Sequence, residues 1–363
     1  MTRRDTLALA GLAALTPQLQ AAANTKWPIT EGPGTPKLCL GGPRDPASLR
    51  GYRQLGIDHL IGGGPPGPLP WSVEAIAAEI AKCKEAGVTL ANMMMTGFHN
   101  AIYNRPGRDR DIENVIQTIR NAGRAGLPVI EYNWYAHRAM EGYFEETGRA
   151  GLGHTGFDYE RMRNLPPLPE EGAHSLDTMW NNITYFLKAV VPEAEKAGVR
   201  LALHPNDPPP LYSRGSGQIM STLAGWKRLI DIFDSPANGI TFDCGVTREL
   251  GEDPVPVLRY FGERKRINHM HYRNVIVHKP YERYTEVSID EGQVDMFAVM
   301  KEVVRLKYTG PIYPEHPRAL DYDREAAKPA GGIKGYPGGG GFAGTAFCVA
   351  YARAMLQAAL ASA

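Results

Sequence analysis

The sequence predicts a single (β/α)8 barrel, on three observations. Eight short apolar runs alternate with amphipathic helical stretches along the chain, the order that builds a parallel sheet flanked by helices. The Gly-x-Gly-x-x-Gly turn of an open, doubly wound sheet does not follow the first strand. Finally, 363 residues would divide into two domains of about 150 residues each, but one barrel with long loops also fills that length.

The elements follow in order. Lys37 to Leu40 and His59 to Ile61 are the first two strands, the second running into Gly62-Gly63-Gly64. Ser72 to Ala86 is helical, with Val73, Ile76, Ala77, Ile80 and Cys83 at spacings of three and four. Val88 to Met93 is the third strand. Asp111 to Ala125 is a helix with Ile112, Val115, Ile116 and Ile119 on one face, and Leu127 to Tyr132 is the fourth strand. Trp134 to Ala173 then reads as a long loop, rich in Gly, Arg and aromatic residues. Loops of that length in compact domains are usually functional, so it is expected to shape a pocket. Ser175 to Lys196 is a helix that Pro192 should kink. Strands at Val199–Leu203, Gly239–Phe242, Arg266–His271 and Pro311–Pro314 alternate with helices at Leu223–Phe233, Val255–Phe261 and Val294–Leu306. Ala343 to Leu360 closes the chain as an Ala-rich helix.

Residues 1–23 stand apart as an export signal. Arg3 and Arg4 begin it, Thr6 to Leu15 is its apolar run, and Ala21-Ala22-Ala23 is a small-residue cleavage site. The setting Thr2-Arg3-Arg4-Asp5-Thr6-Leu7 resembles a twin-arginine signal. It predicts export to the periplasm and one barrel domain over residues 24–363. The apolar run is shorter than the about 20 residues that span a bilayer, so no membrane span is expected.

Composition excludes other classes. The chain carries 40 Lys and Arg against 39 Asp and Glu. Without Arg3, Arg4 and Asp5, 38 of each sign remain. There is no basic excess of the kind a dedicated nucleic-acid binder shows. Cys39, Cys83, Cys244 and Cys348 form no Cys-x-x-Cys pair, which argues against a zinc ribbon or a thioredoxin motif.

In a barrel, chemistry sits at the C-terminal strand ends. There the fifth strand ends in His204 and the sixth in Asp243. The seventh carries His269 and His271, and the eighth ends in Glu315-His316. A lone histidine is usually a hydrogen-bonded core residue, but four successive strands ending in nitrogen or oxygen ligands would be costly to bury unpaired. A divalent cation offsets that cost. The set His204, Asp243, His271 and Glu315 suits Mn²⁺, with Fe²⁺, Co²⁺ or Zn²⁺ also possible. Mg²⁺ is less favoured because it prefers all-oxygen shells.

Several stretches carry a resemblance. They are TIRNAGRAGLPVIEYNW (Thr118 to Trp134), the run from Leu168 to Pro209 ending in HPNDPP, DSPANGITF (Asp234 to Phe242), HYRNV (His271 to Val275), GQVDMFAVMK (Gly292 to Lys301) and PEHPR (Pro314 to Arg318). In these the sequence resembles the mannonate dehydratases, within the xylose-isomerase-like TIM barrels. The resemblance implies a Mn²⁺-dependent lyase converting D-mannonate to 2-keto-3-deoxygluconate and water. It implies metal ligands at His204 and His271, with Glu315 where the family has Asp. Asp243 stands where the family has Cys, with Cys244 one residue later. His316 matches the family's catalytic histidine, and Tyr336 matches a tyrosine that assists proton transfer. On the same reading Arg318 and Arg273 pair with the sugar acid's carboxylate, Asn133 and Asn274 contact hydroxyls, and the family's habit of forming dimers or larger assemblies points to a homo-oligomer.

Two other readings stay open at this stage. Carboxylates at positions 243 and 315 also suit an exported sugar isomerase or epimerase. A non-catalytic, metal-dependent sugar-binding barrel is the third reading, and retention of both His316 and Arg318 argues against it.

Overall fold

The computed structural model describes residues 31–138 and 140–362. The stretch read as an export signal lies outside them. Strands β1 (Lys37–Gly41), β2 (His59–Gly63), β3 (Thr89–Met95) and β4 (Val129–Tyr132) begin the barrel. Strands β5 (Tyr143–Thr147) and β6 (Gly153–Asp158) leave it, and β7 (Arg200–Leu203) returns. A small hairpin, β8 (Tyr212–Ser213) and β9 (Ser216–Gly217), precedes β10 (Asn238–Asp243) and β11 (Ile267–His271). Strands β12 (Val275–Lys279) and β13 (Arg283–Glu286) form a second excursion, and β14 (Pro311–Tyr313) closes the wall. The barrel order is β1-β14-β11-β10-β7-β4-β3-β2, a closed ring. Its strands all pair in parallel. The eight wall strands overlap the eight apolar runs read from sequence, because a parallel strand covered on both faces must be apolar nearly throughout.

The helices are α1 (Pro46–Gln54), α2 (Val73–Glu85), α3 (His99–Tyr103), α4 (Arg108–Ala125), α5 (Leu176–Ala197), α6 (Leu223–Ile232), α7 (Cys244–Glu249), α8 (Pro254–Glu263), α9 (Met296–Arg305), α10 (Asp321–Ala327) and α11 (Phe342–Ala361). Side-chain caps start several of them: Ser72, Ser175, Thr222, Asp253 and Asp295 each accept a first-turn N–H. Helix α1 was not anticipated, since it buries only Leu49 and Tyr52. Its signal was local, the Asp45 cap followed by Pro46 in the first turn. Helix α5 continues through Pro192 to Gly198.

The stretch 134–173 is not a plain loop. It contributes β5 and β6 to an antiparallel sheet of order β12-β13-β6-β5. The two excursions, one between β4 and α5 and one between β11 and α9, thus meet as one accessory sheet. A separate apolar cluster of Tyr143, Phe157, Met162 and Tyr284 holds it together, with Phe157 and Tyr284 stacked at 5.0 Å. Gly156 is required in β6, because a Cβ there would lie 2.7 Å from the Phe144 ring. Such glycines disguise the strand in the sequence.

Candidate active site

The barrel register sets the ends of the last wall strands side by side. Asp243 pairs with His271, and His271 with Tyr313, two residues before Glu315. His204 Nδ1 lies 2.7 Å from the Pro205 carbonyl, which can only accept. Nδ1 therefore carries the proton, and Nε2 turns its lone pair inward, 3.1 Å from His271 Nδ1. That same His271 nitrogen lies 3.0 Å from Glu315 Oε1 and 3.8 Å from Asp243 Oδ2. Asp243 also caps α7, its Oδ1 accepting from the Val246 N–H at 2.8 Å. All four side chains are buried. The Cys244 thiol turns away and donates to the Arg273 carbonyl at 3.2 Å.

This arrangement fits a cation. Ligand atoms about 2.1 Å from one ion lie roughly 3.0–3.4 Å from each other, and the shorter spacings here are 3.0 and 3.1 Å. One imidazole nitrogen can donate only one hydrogen bond, yet two carboxylates and a second imidazole converge on His271 Nδ1. The ligand atoms of Asp243, His271 and Glu315 lie within 4.8 Å of one another, as do those of Glu131, His204 and His271, and imidazole nitrogens with carboxylates make a mixed donor set for a divalent transition metal. With protons alone in the cluster, burial opposes charge on His271, but Glu315, Glu131 and Asp243 raise its imidazole to about 9. Burial likewise pushes the Glu315 carboxyl up, and the charges of His271, His316 and Arg273 carry it well below its usual range.

Glu131, on β4, was not singled out from the sequence. Its Oε2 accepts from Asn92 at 3.0 Å and its Oε1 from Thr241 at 2.7 Å. Oε1 also lies 3.6 Å from His271 Nε2, the nitrogen facing away from Glu315. A carboxylate in that position orients a metal-binding imidazole. The available signal was a lone acid inside an apolar strand.

His316 adopts a left-handed backbone, φ 50°. Successive strand residues normally point to opposite faces. The left-handed turn lets Glu315 and His316 line the same cavity, of about 430 Å³. Gly41, Gly42, Gly62 and Gly63 leave room on its far wall, where Asn133, Arg138 and Asp207 also face it. His316 Nδ1 meets Glu286 Oε2 at 2.6 Å, and Nε2 lies 3.5 Å from Glu315 Oε2. The Tyr336 ring packs 5.0 Å from the imidazole, with the Arg138 guanidinium 4.7 Å from that ring. The Tyr336 hydroxyl and Asn133 Oδ1 are buried without a hydrogen-bond partner in the protein. A larger cavity of about 1090 Å³ opens at the opposite end, among the strand starts. The clustered acids and imidazoles are absent from its lining.

The family model for D-mannonate dehydratase (UxuA) matches residues 38–167 and 152–358. A mannonate dehydratase of Streptococcus equi subsp. zooepidemicus is 31% identical over 310 residues, 77% of this chain and 84% of the relative. One from Thermotoga petrophila is 30% identical over 332 residues, 81% and 91% of the two chains. The chain belongs to the D-mannonate dehydratase family. The crystal structure of mannonate dehydratase from Streptococcus suis serotype 2 superposes with a TM-score of 0.80 at 27% identity, covering 90% of this chain and 94% of that one. A xylose isomerase domain protein from Alicyclobacillus acidocaldarius, 14% identical with a TM-score of 0.56 over 90% and 99% of the chains, shares the fold.

Within this dehydratase-family barrel, three residues expected to touch substrate are held by partners within the protein. Arg273 is 2% exposed. Its guanidinium is spent on Asp243 at 3.0 Å, Glu315 at 3.3 Å, Glu249 at 2.7 Å and Asp207 at 3.4 Å. It neutralises the carboxylates from behind. Arg318 is buried too, donating to Thr155 Oγ1 at 2.5 Å, Glu286 Oε2 at 3.2 Å and the His316 carbonyl at 2.8 Å. Asn274 is committed to backbone. Its Nδ2 donates to Ile289 and Val294 carbonyls, and its Oδ1 accepts from the Val275 and Val294 N–H groups. The arginine at the cavity is instead Arg138, which donates to Asp207 Oδ2 at 2.7 Å. Arg273, Arg138 and His316 hold the buried Asp207 carboxyl well below its usual range against the opposing effect of burial.

Proposed function

We propose that this chain dehydrates D-mannonate to 2-keto-3-deoxy-D-gluconate at a divalent-metal site made by His204, Asp243, His271 and Glu315, with Mn²⁺ as the preferred ion. One observation carries the reading: in a chain of this family, His204, His271 and Glu315 line one cavity beside His316, with Asp243 Oδ2 3.8 Å from His271 Nδ1. The carboxylate at position 243, in place of a thiolate, favours Mn²⁺ over softer choices.

When bound, the cation supplies Lewis-acid stabilisation of the charge that develops next to the substrate carboxylate. The chain's own groups do the rest. Removing the C2 proton leaves its electron pair to form the C2–C3 double bond while the C3–oxygen bond breaks. The departing hydroxide takes up a proton and leaves as water, and the enol becomes the 2-keto product. His316 presents Nε2 at the cavity for one proton transfer, and Tyr336 OH, free of protein partners, assists the other. Arg138 offers the cavity a guanidinium for the sugar acid's carboxylate. Asn133 Oδ1 accepts from a substrate hydroxyl.

The test incubates metal-loaded protein with D-mannonate and neighbouring aldonates. A 2-keto-3-deoxy acid should form, EDTA should abolish it and Mn²⁺ should restore it. A ketose or an epimer as the sole product would replace the dehydratase by the isomerase reading. We also place the protein in the periplasm, on the strength of Arg3, Arg4 and the apolar run to Leu15. Replacing both arginines by lysine should retain it in the cytoplasm, as fractionation would read.

A further inference from the structure

We propose that Glu286, on the accessory sheet, is the positioning residue of His316: it keeps the imidazole proton on Nδ1, so that only Nε2 is presented to the cavity. The proposal deepens the dehydratase reading and rests on it for the role of His316.

Three groups close a circuit. His316 Nδ1 lies 2.6 Å from Glu286 Oε2. Arg318 Nη2 donates to that same oxygen at 3.2 Å, and Arg318 Nε donates to the His316 carbonyl at 2.8 Å. The ring of His316, its backbone and the carboxylate are therefore fixed relative to each other. The left-handed φ of 50° at His316 is uncommon for a residue with a side chain and persists where surroundings over-determine it. The circuit is that surrounding.

Delivery of Glu286 is the work of the accessory sheet. Glu286 pairs with Thr155 across β13 and β6, and Arg318 Nη1 donates to the Thr155 hydroxyl at 2.5 Å. The carboxylate is fully buried. Its second oxygen lacks a hydrogen bond, and Arg273 Nη1 is 3.9 Å away. The oxygen that does bond faces two donors, which an ionised carboxylate accepts together. The Asp207 carboxylate is paired with Arg138 and Arg273, and the Glu286 carboxylate with Arg318.

An imidazole without a partner on Nδ1 exchanges tautomers and can turn over. A buried carboxylate on Nδ1–H selects one tautomer and stabilises the imidazolium formed when Nε2 takes a proton, without taking that proton itself.

The experiment compares metal-loaded wild type with Glu286→Leu and Glu286→Asp. Steady-state rates and metal content are recorded with Mn²⁺, and nitrogen-15 histidine spectra with diamagnetic Zn²⁺, because Mn²⁺ broadens nearby nuclei; the His316 signals are identified by their loss in His316→Gln. Glu286→Leu should keep its metal and a KM within about threefold of wild type, while kcat falls about 10³-fold. Without an acceptor on Nδ1–H, the His316 signals should move toward the Nε2–H pattern. Glu286→Asp should recover part of kcat and the Nδ1–H pattern. Wild-type kcat in Glu286→Leu, or unchanged His316 nitrogen signals, would overturn the proposal. If wild type leaves D-mannonate untouched, the dehydratase reading fails, and the nitrogen signals still decide the role of Glu286.

Discussion

The barrel wall and the accessory sheet over its mouth contribute to one site in different ways. Wall strands β7, β10, β11 and β14 end in, or lead directly into, His204, Asp243, His271 and Glu315. Each reaches the cluster from its own strand end. The accessory sheet places no residue in that cluster, yet it supplies Glu286 behind His316, and Tyr143 and Tyr284 behind Asp207. On the reading proposed above, the wall supplies the metal ligands and the sheet positions the groups assigned to proton transfer. The contrast predicts that wall substitutions remove metal, whereas substitutions in the sheet or in the residues it orients leave metal in place and slow the chemistry.

The largest effect should come from His271→Ala, which takes away the nitrogen on which the other ligands converge. Metal content by atomic spectroscopy should fall to background and turnover with it. Metal retained at wild-type stoichiometry would break the comparison at its stronger side. His316→Ala comes next. Turnover should drop about 10²–10⁴-fold, the usual worth of a positioned acid or base, while metal content stays unchanged. Simultaneous loss of metal would make His316 a ligand instead.

Smaller effects sharpen the contrast. Glu131→Gln, in the wall but one step outside the ligand set, should weaken metal affinity by about 10–100-fold in a chelator competition. An unchanged affinity would mean that Asn92 and Thr241 hold Glu131 for packing alone. Tyr143→Phe, in the sheet, removes a 2.7 Å hydrogen bond to buried Asp207. It should cost about 1–3 kcal/mol of stability, read by denaturant unfolding, with metal content preserved.

Legibility in the sequence follows the same division. The wall could be read because parallel strands are apolar runs and their polar residues collect at one end. His204, Asp243, His271 and Glu315 announced themselves as exceptions to an apolar pattern. Glu131 carried the same signal more faintly, one acid in VIEY. The sheet could not be read. Its strand β6 contains Gly153 and Gly156, alternates weakly, and pairs with β13 more than a hundred residues later, while β5 pairs only with β6 among the described residues. Arg273 and Arg318 looked like substrate ligands because a cation beside a strand end suits a carboxylate. The structure gives each of them protein carboxylates instead.

The sequence alone determined the closed wall, the end at which its polar residues gather, and the four donors offered there. These follow from strand periodicity and from the parallel direction of the strands, both local properties. Tertiary structure alone decided that Arg273 lies beneath the cluster, that Arg138 faces the cavity, and that Glu286 meets His316. Those outcomes depend on where two excursions fold back and which strand each one pairs with. Backbone pairing of that kind is set by the shape and packing of the whole mouth, and a local pattern of residues does not encode it.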